Sequence, residues 1–233
     1  MTARADTSAS GDPEPPKLCG RCARLVAFRK LQQAKEPSWF NGAVPSFGDE
    51  NASLLIVGLA PGLNGANRTG RPFTGDYAGV LLYDTLLSFG FASGHYEARA
   101  DDGLSLVNCM ITNAVRCVPP ENKPTPSEIA NCRSFLGARI AQMGNLKAIV
   151  ALGRIAHEST LTALGYRKSL YPFAHAARHD LPDHPPLFDS FHCSRYNTNT
   201  RRLTPEMFQA VFAAVRVLIP APRPAARAHL PLS

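Results

Sequence analysis

The 233 residues, 45% of them hydrophobic and 18% charged, suffice for one sizeable core or at most two small ones, so a single domain is the first expectation. Twenty-five basic against 18 acidic side chains leave a formal charge of +7, which disfavours a cationic partner and puts nucleic acid ahead of other polyanions and membranes. With no run of about eighteen apolar residues and no signal-peptide pattern at the start, the chain is expected in the cytosol, and its six cysteines as a metal site or buried thiols instead of a disulfide framework.

Residues 1–17 combine Ser, Thr, Asp, Gly and Pro with few apolar side chains, a mixture that reads as a disordered tail. The folded unit is expected over 18–219, and 220–233, rich in Pro and Ala, reads as a second disordered tail. Between the tails, three- and four-residue apolar spacing predicts helices over 24–34, 80–89, 125–143, 154–164 and 204–218. Thr125-Pro126 and Thr204-Pro205 each place a capping hydroxyl before a proline at the first helical position. Short apolar runs at 53–58, 106–114, 147–152 and 187–191 predict strands. Strands alternating with helices imply a three-layer α/β/α sandwich around a central, mainly parallel four-stranded sheet. In such a sheet ligands gather beyond the carboxyl ends of the strands, so the segments after Gly58, Asn113, Leu152 and Phe191 should converge.

Two features carry chemistry. Cys19 and Cys22 form a C-x2-C pair, while Cys117 and Cys132 flank a proline-rich loop; four thiolates in two groups can close a tetrahedral site holding either zinc or a 4Fe-4S cluster. Residues 58–79, GLAPGLNGANRTGRPFTGDYAG, carry six glycines between a strand and a helix and let backbone amides approach a planar or anionic ligand. Neither the Walker A spacing nor G-x-G-x-x-G is present, so the loop does not support a nucleotide-hydrolase or dinucleotide reading.

The GLAPG start, the NRTGRPFTGD run, ITNAVRC at 111–117 and SFHCSRYNTNT at 190–200 together resemble the uracil-DNA glycosylase superfamily, and among its members family 5, the iron-sulfur type also called type b. The resemblance spans roughly residues 18–218. The related family 4 has an acidic residue where this chain has Leu59, which favours family 5 and moves the search for a catalytic acid to Asp76.

What the resemblance implies is a monofunctional hydrolase of base excision repair. It would cut the N-glycosidic bond of uracil, and of other deaminated bases such as hypoxanthine or xanthine, in double-stranded DNA and leave an abasic site. Asp76, Asn113 and His192 would be catalytic; Gly58, Phe73, Asn113 and His192 would bind the extruded base. Arg68, Ser194, Arg195, Tyr196, Arg201 and Arg202 would engage DNA, with Arg195 or Tyr196 filling the gap left by the flipped nucleotide. Cys19, Cys22, Cys117 and Cys132 would hold a 4Fe-4S cluster in preference to zinc, as a structural element. Cys193 departs from the proline the family has directly after its histidine. The resemblance also implies a monomer in the bacterial cytoplasm, at the nucleoid during repair, without membrane contact. From other classes, a noncatalytic damaged-DNA-binding protein and a cluster-containing electron carrier are the competing readings, and Asp76, Asn113 and His192 in one chain speak against both.

Overall fold

A computed structural model describes residues 11–220; the larger parts of both expected tails, 1–10 and 221–233, lie outside the described residues. Eight strands and seven helices succeed one another there: α1 (Ala23–Lys35), β1 (Phe47–Gly48), β2 (Leu54–Gly58), α2 (Ala66–Thr69), α3 (Tyr77–Ser88), β3 (Ala92–Ser93), β4 (Ser105–Leu106), β5 (Cys109–Asn113), α4 (Pro126–Gln142), β6 (Ala148–Leu152), α5 (Arg154–Ala163), β7 (Arg178–His179), β8 (Leu187–Ser190), α6 (Arg195–Asn199) and α7 (Pro205–Leu218). Strands β5, β2, β6 and β8 are parallel neighbours, and every residue in them is buried. A parallel sheet covered on both faces demands such continuous apolar runs.

Alternate side chains of these strands serve opposite faces. Leu54, Ile56, Ile111 and Val150 pack with Leu82 and Leu86 of α3 and with Phe208, Val211 and Phe212 of α7. Leu55, Val57, Met110 and Ile149 pack with Leu136 and Ile140 of α4 and with Ala156 and Leu161 of α5. The three layers expected are therefore present. The sheet has six strands, however, in the order β1-β5-β2-β6-β8-β7, because antiparallel edges of two residues each flank the parallel four. Two residues are too few to leave a period-two signature. The strand expected over 106–114 also divides: Leu106 pairs with Ala92 in a separate ribbon, and Asn108, at a left-handed φ of 50°, turns the chain before β5 begins.

Capping fixes the longer helices. Thr125 and Glu128 form a reciprocal capping box on α4, Thr204 caps α7, and Asp76 starts α3 three residues ahead of the apolar pattern by accepting the Gly79 N–H. The last residues of the expected amino-terminal tail are docked. Glu14 pairs with two buried arginines, at 3.1 Å to Arg116 and 2.8 Å to Arg139, so the packed unit starts ahead of residue 18. Among the described residues no helix is long and apolar enough to cross a membrane.

Candidate active site

Helix α3, following β2, covers one face of the sheet, while α4 and α5, following β5 and β6, cover the other. Connections that part in this way open a crevice at the carboxyl ends of the strands. A cavity of about 460 Å³ lies there, and it gathers Phe73 and Asp76 from the glycine-rich loop, Asn113 from the end of β5, and His192, Ser194 and Arg195 from the segment after β8.

Gly58 and Asn113 are opposite one another in the β2–β5 register. A Cβ on Gly58 would collide with Asn113 Oδ1 and lie 2.6 Å from Phe73 Cζ, so glycine is what lets the carboxamide and the ring stand side by side. Phe73 and His192 are stacked with ring centroids 5.9 Å apart and 29° between planes. Asn113 is 3% exposed and its Oδ1 has no partner within the described protein. Such an orphan costs about 1–3 kcal/mol and marks a group that gains from a ligand.

Burial pushes the Asp76 carboxyl above its ordinary value, against amide hydrogen bonds from Gly79 and Ala78. One of its oxygens accepts the Gly79 N–H at 3.2 Å; the other faces Gly62 and Gly65 of the loop. Burial drives His192 down to about 4, so its imidazole is neutral at pH 7. In the turn after it, Cys193 is buried in the core, Asn197 donates to the His192 carbonyl at 2.8 Å, and Ser194 caps α6. The strand leading to His192 is tied by Asp189, whose carboxylate meets His157 of α5 at 2.7 Å and His179 of β7 at 2.9 Å.

The other sequence-expected DNA residues are dispersed around this cavity. Arg195 lies over the Tyr77 ring at 5.2 Å, and Tyr196 is 70% exposed. Arg202 stacks on Phe191 in an adjoining cleft, and Arg201 borders a groove between α3 and α7. Arg68 is exposed, with its Nε bonded to the Asn64 carbonyl and its guanidinium beside Gly75. Sequence reasoning passed over Tyr77 and Asn122, which also line the cavity. Asn122 adopts a left-handed φ of 57°, which Asn tolerates.

Beyond the carboxyl end of β5, Cys19, Cys117 and Cys132 share a buried cluster with Leu25, Val115 and Phe135, and Cys22 packs against it. The Cys117 thiol feels the other three electrostatically, and Arg29 Nη1 donates to its Sγ at 3.4 Å. Among the described residues only His157, His179 and Asp189 bring three ligand atoms within 4.8 Å of one another. Four thiols in one buried cluster supply the soft sulfur donors that zinc and iron-sulfur clusters both accept. Their donor chemistry fits an iron-sulfur cluster.

Residues 45–216 match the family model described as the uracil DNA glycosylase superfamily. The chain belongs to that superfamily. It is 45% identical to the type-5 uracil-DNA glycosylase of Thermus thermophilus, over 86% of this chain and 93% of that protein. It is 36% identical to the type-5 uracil-DNA glycosylase of Pyrobaculum aerophilum, over 83% and 85%. A type-4 uracil-DNA glycosylase of the same organism, 36% identical, spans 65% of this chain. Membership in the uracil DNA glycosylase superfamily, on its type-5 side, agrees with the resemblance carried by the four motifs and with Leu59 in place of an acid.

Proposed function

We propose that the chain is a monofunctional DNA repair glycosylase that hydrolyses the N-glycosidic bond of uracil, and of other deaminated bases such as hypoxanthine and xanthine, in double-stranded DNA. The observation that carries this reading is the meeting of Phe73, Asp76, Asn113 and His192 in one cavity of a chain whose relatives bear the type-5 name. The base rotates out of the stack and lies on the Phe73 ring, which offers a π-face to any planar base. Asn113 reads its edge: the orphaned Oδ1 accepts a ring N–H, and Nδ2 donates to the neighbouring carbonyl. Deamination replaces an amino group with a carbonyl and places a proton on the adjacent ring nitrogen, so uracil, hypoxanthine and xanthine share that edge.

As the bond to deoxyribose lengthens, the base gathers negative charge and the sugar positive charge. The neutral His192 imidazole donates its N–H to the base oxygen that bears the charge. Asp76, ionised, stabilises the oxocarbenium-like sugar and orients or deprotonates the attacking water. The Schiff-base route needs an amine nucleophile; the cavity lining contains no lysine, which supports simple hydrolysis to an abasic site. Ser194, Arg68, Arg201 and Arg202 meet DNA phosphates, while Arg195 or Tyr196 fills the vacated stack. Cys19, Cys22, Cys117 and Cys132 would hold a 4Fe-4S cluster, which would tie the segment leading into α1 to α4 and take no part in hydrolysis. The enzyme acts as a monomer in the cytoplasm.

Release of free base from a panel of duplex and single-stranded oligonucleotides, each with one modified base, tests the proposal. The expected result is release of uracil, hypoxanthine and xanthine from duplexes, with heat- or alkali-labile abasic sites. Binding to these duplexes with no release of any base would instead support the noncatalytic reading.

A further inference from the structure

Phe73 sits at φ 55°, a left-handed conformation that is an outlier for a bulky aromatic side chain. Strain of this kind persists only where surrounding groups over-determine it. The surrounding groups are identifiable. Tyr83 O–H donates to the Pro72 carbonyl at 2.6 Å, and Tyr96 O–H donates to the Phe73 carbonyl at 3.1 Å. The two phenol rings are themselves in contact, with centroids 4.6 Å apart. Gly79 completes the arrangement from α3, since a Cβ there would run into both the Phe73 carbonyl and the Tyr96 hydroxyl.

Behind the rings lies a buried ion pair. Arg71 donates bidentately to Asp102 at 2.8 and 2.7 Å, and its Nε donates to Thr74 Oγ1 at 2.7 Å. Its guanidinium lies 5.5 and 5.9 Å from the ring centres of Tyr83 and Tyr96. Asp102 also accepts the amides of Glu97 and Leu104, so the loop that carries Tyr96 folds around this one carboxylate. Burial pushes the Tyr96 hydroxyl up to about 12 and raises that of Tyr83 as well, which keeps both as donors throughout the physiological range. Arg71, Tyr83, Tyr96 and Asp102 are all absent from the cavity wall, whereas Phe73 forms part of it.

We infer that Tyr96 and Tyr83, backed by the Arg71–Asp102 pair, are positioning residues that lock Phe73 in its strained conformation and thereby hold the base-stacking ring at its angle to His192. The inference rests on the assignment of Phe73 as the stacking platform. Without the Tyr96 hydroxyl the Phe73 carbonyl can rotate, the backbone relaxes toward an ordinary conformation, and the ring leaves its place beside Gly58. Tyr96→Phe is the gentlest variant, because it removes one oxygen and keeps the packed ring.

A double-mutant cycle with Phe73→Ala tests this. Measured as kcat/KM for uracil release from a duplex, Tyr96→Phe is expected to lower the rate about three- to tenfold, the range of one lost hydrogen bond. In the Phe73→Ala background the same change should cost nothing, because the ring it positions is gone. A purely structural role would give the same loss in both backgrounds and would overturn the inference, as would wild-type kinetics of Tyr96→Phe. Wild-type kinetics of Phe73→Ala would remove the stacking assignment itself, and the inference with it. Tyr83→Phe, run through the same cycle, serves if Tyr96→Phe does not fold.

Discussion

At the scale of single residues, the cavity sets two ionisable groups against each other. Burial moves the Asp76 carboxyl up and His192 down to about 4, so at pH 7 the imidazole is neutral, the state that lets it donate to the departing base without a buried positive charge. Asp76→Asn is expected to lower single-turnover base release about a hundredfold or more, with DNA affinity little changed. The same variant should be more stable than the wild type at pH 7. A carboxyl whose folded pKa is raised contributes stability that is complete below its unfolded value of about 3.8 and is lost as pH rises through the folded value, whereas the neutral amide keeps the Gly79 cap without a buried charge. Thermal unfolding checks it: an Asp76→Asn midpoint at or below the wild type would contradict the burial of the charge. His192 has the opposite sign. Its depressed pKa contributes stability present above about 6.5 and lost as pH falls toward about 4, so His192→Asn should flatten the acid limb of stability between those values.

Among the elements, those that carry the site are of two kinds, and the sequence exposed only one. Strands β2, β5, β6 and β8 were legible because a parallel strand buried on both faces must be apolar throughout, and α4 and α7 because a capping threonine precedes a proline. Asp76, Asn113 and His192 came from the family resemblance, and the cavity brings the three together. Elements set by contacts distant in sequence were not legible: β1 and β7 are two residues long, α2 and α6 are shorter than two turns, and the partner that holds Arg71 is Asp102, on another loop. Nothing local in RPFTGD announces that Phe73 is left-handed. Helix α7 shows how far the scaffold can be separated from the chemistry. Phe212 is fully buried against Phe208 and Phe89 and lies outside the cavity wall. Phe212→Ala should cost about 3–5 kcal/mol of stability by denaturant titration, while base release per folded molecule stays at the wild-type rate. A loss of rate larger than the loss of folded protein would mean that α7 supports the cavity directly.

On the scale of the whole molecule, the described residues before β1 contribute no strand to the sheet and are attached by backbone hydrogen bonds, from Phe40, Asn41 and Val44 to Arg68, Asn67 and Arg116, and by side chains. Glu14 pairs with Arg116 and Arg139, Arg24 pairs with Glu128 on α4 at 2.7 Å, and one buried cluster brings Cys19 and Cys22 together with Cys117 and Cys132. The proline-rich loop between Cys117 and Cys132 reaches the cavity through Asn122, so whatever fixes the two cysteines also fixes one wall of the site. Protein prepared without oxygen is expected to carry iron at about four atoms per chain, the content of one 4Fe-4S cluster. Cys132→Ala should lose that iron, lower the thermal midpoint and weaken binding to uracil-containing duplex. Cys109→Ala, at a buried thiol in a different core, should keep the iron even though it loses some stability. The comparison separates a cluster from ordinary buried thiols: zinc in place of iron would reject the cluster, and unchanged DNA affinity in Cys132→Ala would show that the loop keeps its place at the cavity without it.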